Sequence, residues 1–199
     1  MVPGWTRAGV VEDGSGSRVT SRDVSMAVTE SGANLLHISC QNDAHLVPRN
    51  PKFPVVVSIR DLYDFRPRAI DAGESSVPLG NRYPSSSRAR ELESCREGFR
   101  RADLLLCSSE MTKIEAESMF PETPCALVRD SVDVSFWDPI RNPRDRSMLG
   151  DFSDEEKCLI VSVGEKDPRW RSQFVSEVMS LLLKEVRGEI NLMRIGVGR

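Results

Sequence analysis

The apolar positions of this chain fall into short β-branched runs separated by segments with helical spacing. The clearest run is Phe53-Pro54-Val55-Val56-Val57-Ser58-Ile59, the pattern of a strand covered on both faces. Strands are also predicted at Asn34–Cys40, Ala102–Ser108, Ala126–Arg129, Leu159–Val163 and Ile190–Ile195, the last running into Gly196 and Gly198. Ser86–Arg101 reads as a Ser-capped helix, because Ala89, Leu92, Cys95 and Phe99 recur at three and four residues. Ser109–Met119 reads as a second helix, with Ser108 or Ser109 at its cap. Phe174, Val175, Val178, Met179, Leu181, Leu182, Leu183 and Val186 carry the spacing of a third. A short helix is expected at Asp23–Ser31, capped by Asp23 or Ser21, and another at Asn142–Leu149. Gln41–Lys52 is expected to be loop with at most a short helix, and the Pro- and Gly-bearing stretch Phe65–Ser87 to be loop throughout.

Strand, helix and strand alternate in that order, which argues α/β with Rossmann-like parallel sheets. The first four strands are expected to share one parallel sheet, and Val161–Val163 and Met193–Ile195 to lie in a second. A composition shift with Pro139, Pro143 and Gly150 marks the expected boundary. The division read from this is a weakly patterned, loosely attached 1–22, a first domain at 23–138, a linker at 139–157, and the start of a second domain at 158–199.

Composition narrows the function classes. Hydrophobic residues make up 39% and charged residues 29%, with a net charge of −3, which describes an ordinary soluble protein and favours neither nucleic acid nor a polybasic membrane surface. The basic stretch Arg88–Arg101 alternates with Glu and reads as a solvated helix face. No run reaches about 18 apolar residues, so no transmembrane helix is expected. Five dispersed cysteines without CxxC spacing, and no secretory h-region, point to a reducing, cytoplasmic setting. The two histidines lack neighbours of metal-ligand spacing: His37 reads as a satisfied core or strand-end residue, His45 as exposed, and no metal is expected.

Several segments, in order, resemble motifs of family 4 glycosyltransferases. Val57-Ser58-Ile59-Arg60-Asp61-Leu62 resembles their strand followed by His-Asp. Ala102-Asp103-Leu104-Leu105-Leu106-Cys107-Ser108-Ser109-Glu110, with Thr112, is similar to a strand and helix start of the family. Arg129–Pro139 resembles the connection between their domains, and Arg146–Gly150 the Arg-x-x-Leu-Gly that follows it. Val161–Gly164 with Arg169 resembles a phosphate-binding turn, and Asn191–Gly198 the next strand with its Gly-x-Gly. The resemblance implies the GT-B architecture, two Rossmann-like domains, in a truncated or divergent member. It implies transfer of a sugar from a nucleotide-sugar donor to an acceptor hydroxyl, on a sugar or lipid-linked acceptor, with retention and without a cofactor or metal. The departures are specific: Arg60 stands where the family has His, Ser131 where it has Gly, and Trp170 where it has Lys. In the family's order a Glu-x7-Glu donor-sugar motif follows these segments, and the sequence given ends before it.

The expected donor-phosphate site is Gly164, Lys166, Arg169 and Arg171, a Gly and three cations between a strand and a helix, the place and charge that suit a diphosphate. A solvated surface loop is the other reading of the same residues. Arg60 and Asp61, at a strand's carboxyl end, are the expected acceptor-side pair, or else a local ion pair. Arg stays protonated and cannot act as a base, so Asp61 is the candidate contact to a hydroxyl. Two further functional readings stay open: a non-catalytic binding or regulatory remnant, for which a partner chain would complete the fold, and an unrelated doubly wound nucleotide-binding protein.

Overall fold

The computed structural model describes residues 19–72, 75–138, 140–141, 158–164, 172–185 and 190–196. Within them the elements run α1 (Ser21–Glu30), β1 (Leu36–Ile38), a 3-10 turn (Gln41–Leu46), β2 (Val55–Ile59), β3 (Arg68–Ala72), β4 (Ser75–Leu79), α2 (Ser86–Arg101), β5 (Leu104–Cys107), α3 (Glu110–Met119), β6 (Cys125–Leu127), β7 (Cys158–Val163), α4 (Ser172–Glu185) and β8 (Ile190–Ile195). The chain divides into two compact units, Met1–Arg68 with Gly80–Asp130, and Ala69–Leu79 with Ser131–Arg199.

The first unit is built on a parallel sheet of order β1-β2-β5-β6, in the grouping the hydrophobic pattern predicts. Asp103 fixes the register between its two central strands. Its carboxylate accepts from the Val55 amide at 2.8 Å, and its own amide donates to the Val55 carbonyl at 2.9 Å. Ile38, Val55, Val57, Ile59, Leu105 and Cys107 form one buried face, covered by Leu92, Cys95 and Phe99 of α2, Ala116 of α3, and Phe120. The Phe99 ring lies 5.1 Å from Phe65 and 5.0 Å from Phe120, centroid to centroid. Such aromatic pairs add attraction beyond the area they bury.

The alternate positions depart from the expectation of a strand covered on both faces. Val56, Ser58, Leu104 and Leu106 are only half-buried and His37 is exposed. A Val-rich run reports a fit to pleated structure and does not say how many faces are covered.

Two further differences are local. The helix expected at Asp23–Ser31 begins at Ser21, and its cap is Thr20, whose hydroxyl accepts from the Asp23 amide while the Asp23 carboxylate accepts from the Thr20 amide. This reciprocal box satisfies two otherwise orphan donors, so Thr20 caps better than Ser21 or Asp23 alone. The loop expected over Phe65–Ser87 contains the two-stranded sheet of β3 and β4. The start of β3 is anchored by Arg68, which pairs with the buried Glu115 carboxylate and lies over the Tyr63 ring. Gly80, at φ +74, follows β4, and a Cβ there would overlap the Tyr63 carbonyl.

In the second unit β7 and β8 pair in parallel from Cys158↔Ile190 to Val163↔Ile195, with α4 between them in sequence. This is the expected βαβ arrangement. Arg194 ties β8 to α4 through the Ser176 hydroxyl at 3.3 Å. The short helix expected at Asn142–Leu149 lies outside the described residues. Among the described residues no helix is long and apolar enough to cross a membrane.

Candidate functional site

Open α/β sheets present their ligand-binding loops beyond the carboxyl ends of the strands. In the first unit that edge is organised around the backbone of Arg60. The Arg60 carbonyl accepts from the Ser108 hydroxyl and from the Thr112 hydroxyl, each at 3.1 Å. The Arg60 amide donates to Oε1 of the buried Gln41 at 3.3 Å. The end of β2 is thereby fixed to the turn after β1 and to the start of α3. Ser109, one of the two predicted caps, fills that role: its hydroxyl accepts from the Thr112 amide at 3.1 Å.

The side chains of the acceptor-side pair stand differently. Arg60 is exposed, whereas Asp61 is half-buried and accepts from the Tyr63 amide at 3.2 Å. That Asx-type bond turns the chain after β2. Gln41 and Ser108, which hold Arg60, were not singled out in the sequence as site residues. A polar residue within three positions of each strand's end was the available signal.

Of the expected donor-phosphate residues, Gly164 is described and Lys166, Arg169 and Arg171 lie outside the described residues. Gly164 sits at the end of β7, where its amide donates to the Ile195 carbonyl at 2.9 Å. Gly196 lies opposite at φ +87, and a Cβ there would stand 3.1 Å from the Gly164 carbonyl oxygen. The carboxyl ends of β7 and β8 therefore meet through two glycines whose backbones approach closely. Among the described residues no group of His, Cys, Asp or Glu is placed to hold a metal ion.

Both histidines have protein partners. His37 is an exposed strand residue rather than a core one, with Nε2 at 2.8 Å from the Ser58 hydroxyl. His45, expected to be exposed, is half-buried, and Nδ1 lies 3.0 Å from the Asn42 carbonyl. Several charges of α2 pair within the helix: Arg96 with Glu93 at 3.1 Å, and Arg100 with both Glu93 and Glu97. Exposed pairs of this kind contribute little stability.

Burial, and then the neighbouring Cys125, push the Cys107 thiol up to about 12. Burial likewise raises Cys95. The thiolate is the reactive form, and raising a thiol's pKa removes it at neutral pH. Cys158 is exposed. With iodoacetamide at pH 8, peptide mapping should therefore find Cys158 alkylated first and Cys107 and Cys95 last. Equal rates at Cys107 and Cys158 in the folded chain would contradict this placement of Cys107.

No protein-family model matches this chain, and comparison with curated proteins finds no match.

Proposed function

We propose that this chain is a glycosyltransferase-like protein of the GT-B type, which moves a sugar from a nucleotide-sugar donor to an acceptor hydroxyl with retention. The observation that supports the reading is the convergence on Arg60. Two of the segments that resemble family 4 motifs, Val57–Leu62 and Ala102–Thr112, are joined there by the Ser108 and Thr112 hydroxyls at the carboxyl edge of one parallel sheet. In this reading Arg60 and Asp61 face the acceptor side. Asp61 accepts a hydrogen bond from an acceptor or sugar hydroxyl, and Arg60 supplies charge but no base. Lys166, Arg169 and Arg171, after Gly164, offset the charge that grows on the departing nucleoside diphosphate, a task that fixed cations perform well.

A second reading, a nucleotide-binding protein without transfer activity, is favoured by one residue. Arg60 replaces the family's His, so the side chain that would exchange a proton is gone.

The test is nucleoside diphosphate binding by calorimetry. A charge-assisted contact to phosphate contributes roughly 1.5–3 kcal/mol. Arg169→Ala should then weaken binding about tenfold or more, since about 1.4 kcal/mol is a factor of ten. Added salt should weaken it further. Arg141, whose guanidinium pairs with Asp138 at 3.6 Å, is the control position. Arg141→Ala should bind as the unchanged chain does. Equal affinities for wild type and Arg169→Ala, with the fold intact, would remove the phosphate site. Binding without product from a panel of nucleotide sugars and acceptors would select the second reading.

A further inference from the structure

A cleft of about 480 Å³ opens in the first unit between the start of α1 and one side of α2. Its lining is Val19, Thr20 and Ser21 on one wall, His45 from the 3-10 turn, and Ser87, Arg90, Glu91 and Ser94 on the other. The α2 residues recur at three and four positions, so they form one stripe on that helix. The stripe is distinct from Leu92, Cys95 and Phe99, which enter the core. The cleft's volume falls in the ordinary range of small-molecule sites.

The charges around the cleft do not cancel. Glu91 is paired with Arg88 at 3.4 Å, and Arg88 also binds Asp64 at 2.7 Å and the Asn42 side chain at 3.3 Å. Asp23 is engaged by the Thr20 amide and hydroxyl in the cap of α1. Arg90 has no carboxylate partner among the described residues; its Nε donates to the Ser86 carbonyl at 3.3 Å. That bond holds the stem along α2 and leaves both terminal nitrogens to donate. His45 is oriented in the same way: Nδ1 donates to the Asn42 carbonyl at 3.0 Å, and Nε2 has no protein partner among the described residues. A planar guanidinium with both terminal nitrogens free matches a phosphate, and the hydroxyls of Ser21 and Ser87 suit a hydroxylated body.

We propose that this cleft is a binding site for a small hydroxylated phosphate monoester, with Arg90 on the phosphate and Ser21, Ser87 and the accepting Nε2 of His45 on its hydroxyls. Its residues are not those of the Gly164 turn, and it does not depend on sugar-transfer activity.

The test uses the full chain, with glucose 6-phosphate as probe and glucose and inorganic phosphate as comparators. Binding is read by calorimetry and by amide shifts in the NMR spectrum. Glucose 6-phosphate should bind and move the amides of Ser87, Arg90, Glu91 and Ser94. Glucose should bind at least tenfold more weakly, because it offers nothing to Arg90. Inorganic phosphate should also bind more weakly, because it leaves the hydroxyl wall empty. Arg90→Ala should weaken glucose 6-phosphate binding at least tenfold. Arg100→Ala, on the same helix and already paired with Glu93 and Glu97, should leave it unchanged. Arg90 is exposed, so its truncation leaves the fold in place, which circular dichroism checks. No binding at millimolar probe would overturn the proposal. So would equal binding by wild type and Arg90→Ala, equal losses in Arg90→Ala and Arg100→Ala, or shifts confined to residues outside the cleft.

Discussion

Phe99→Ala is expected to destabilise the first unit by about 3–5 kcal/mol, the range for truncating a buried aromatic. Phe99 has no exposed surface and lies between Phe65 and Phe120, so its removal empties the centre of three rings. The neighbours cannot close the gap freely. Phe65 precedes the ion pair at Arg68, and the Phe99 carbonyl accepts from the Thr123 hydroxyl at 3.2 Å, which fixes the backbone on that side. A loss of this size is comparable with the whole stability of many domains. Urea unfolding followed by circular dichroism should show a large fall in midpoint or no folded baseline. A fall below about 1 kcal/mol would mean that the ring cluster is not the centre of the core.

Gly98→Ala should also destabilise, against the rule for helices. In an open helix the change favours folding by about 1 kcal/mol. Gly98 is instead the point where α2 touches the 3-10 turn, and a Cβ there would overlap the Ala44 carbonyl. The approach is held on either side: the Cys95 thiol meets the Asn42 carbonyl at 3.3 Å, and Arg101 donates to the Val47 carbonyl at 3.0 Å. Overpacking of this kind costs about 1–3 kcal/mol. Gly32→Ala is the comparison, since a Cβ there meets nothing within 4 Å although φ is +65. The urea midpoint of Gly98→Ala should fall further than that of Gly32→Ala. A midpoint above wild type would show that the turn does not press on the helix.

The elements whose local chemistry and burial agree could be read from the sequence. Val55–Ile59, the Ser-capped α2 and the parallel pairing of β7 with β8 all follow from periodicity and caps. The β3–β4 sheet could not be read in this way. Pro78 and two serines argue against a strand, and what holds the start of β3 is a distant side chain, Glu115. The candidate site divides similarly. The position of Arg60 and Asp61 at a strand end was legible because strands end predictably. Their attachment to Gln41, Ser108 and Thr112 was not, because each bond joins residues 19 to 52 positions apart. The cleft beside Arg90 was hidden for another reason. Alternating Arg and Glu read as a solvated helix face, and only the fold shows that Arg88 pairs with Asp64 and Glu91 while Arg90 has no carboxylate partner among the described residues.

The clamp between Val55 and Asp103 also bears on how the chain folds. These residues are 48 positions apart, and β1 and β6 each pair with one of the two strands they join. A diffusing chain must close a long loop before the clamp forms, a search whose entropy grows with loop length. The α2 helix, by contrast, needs only neighbours within one turn. Helical segments should therefore appear early, and the central strand pair should set the pace at which the sheet assembles.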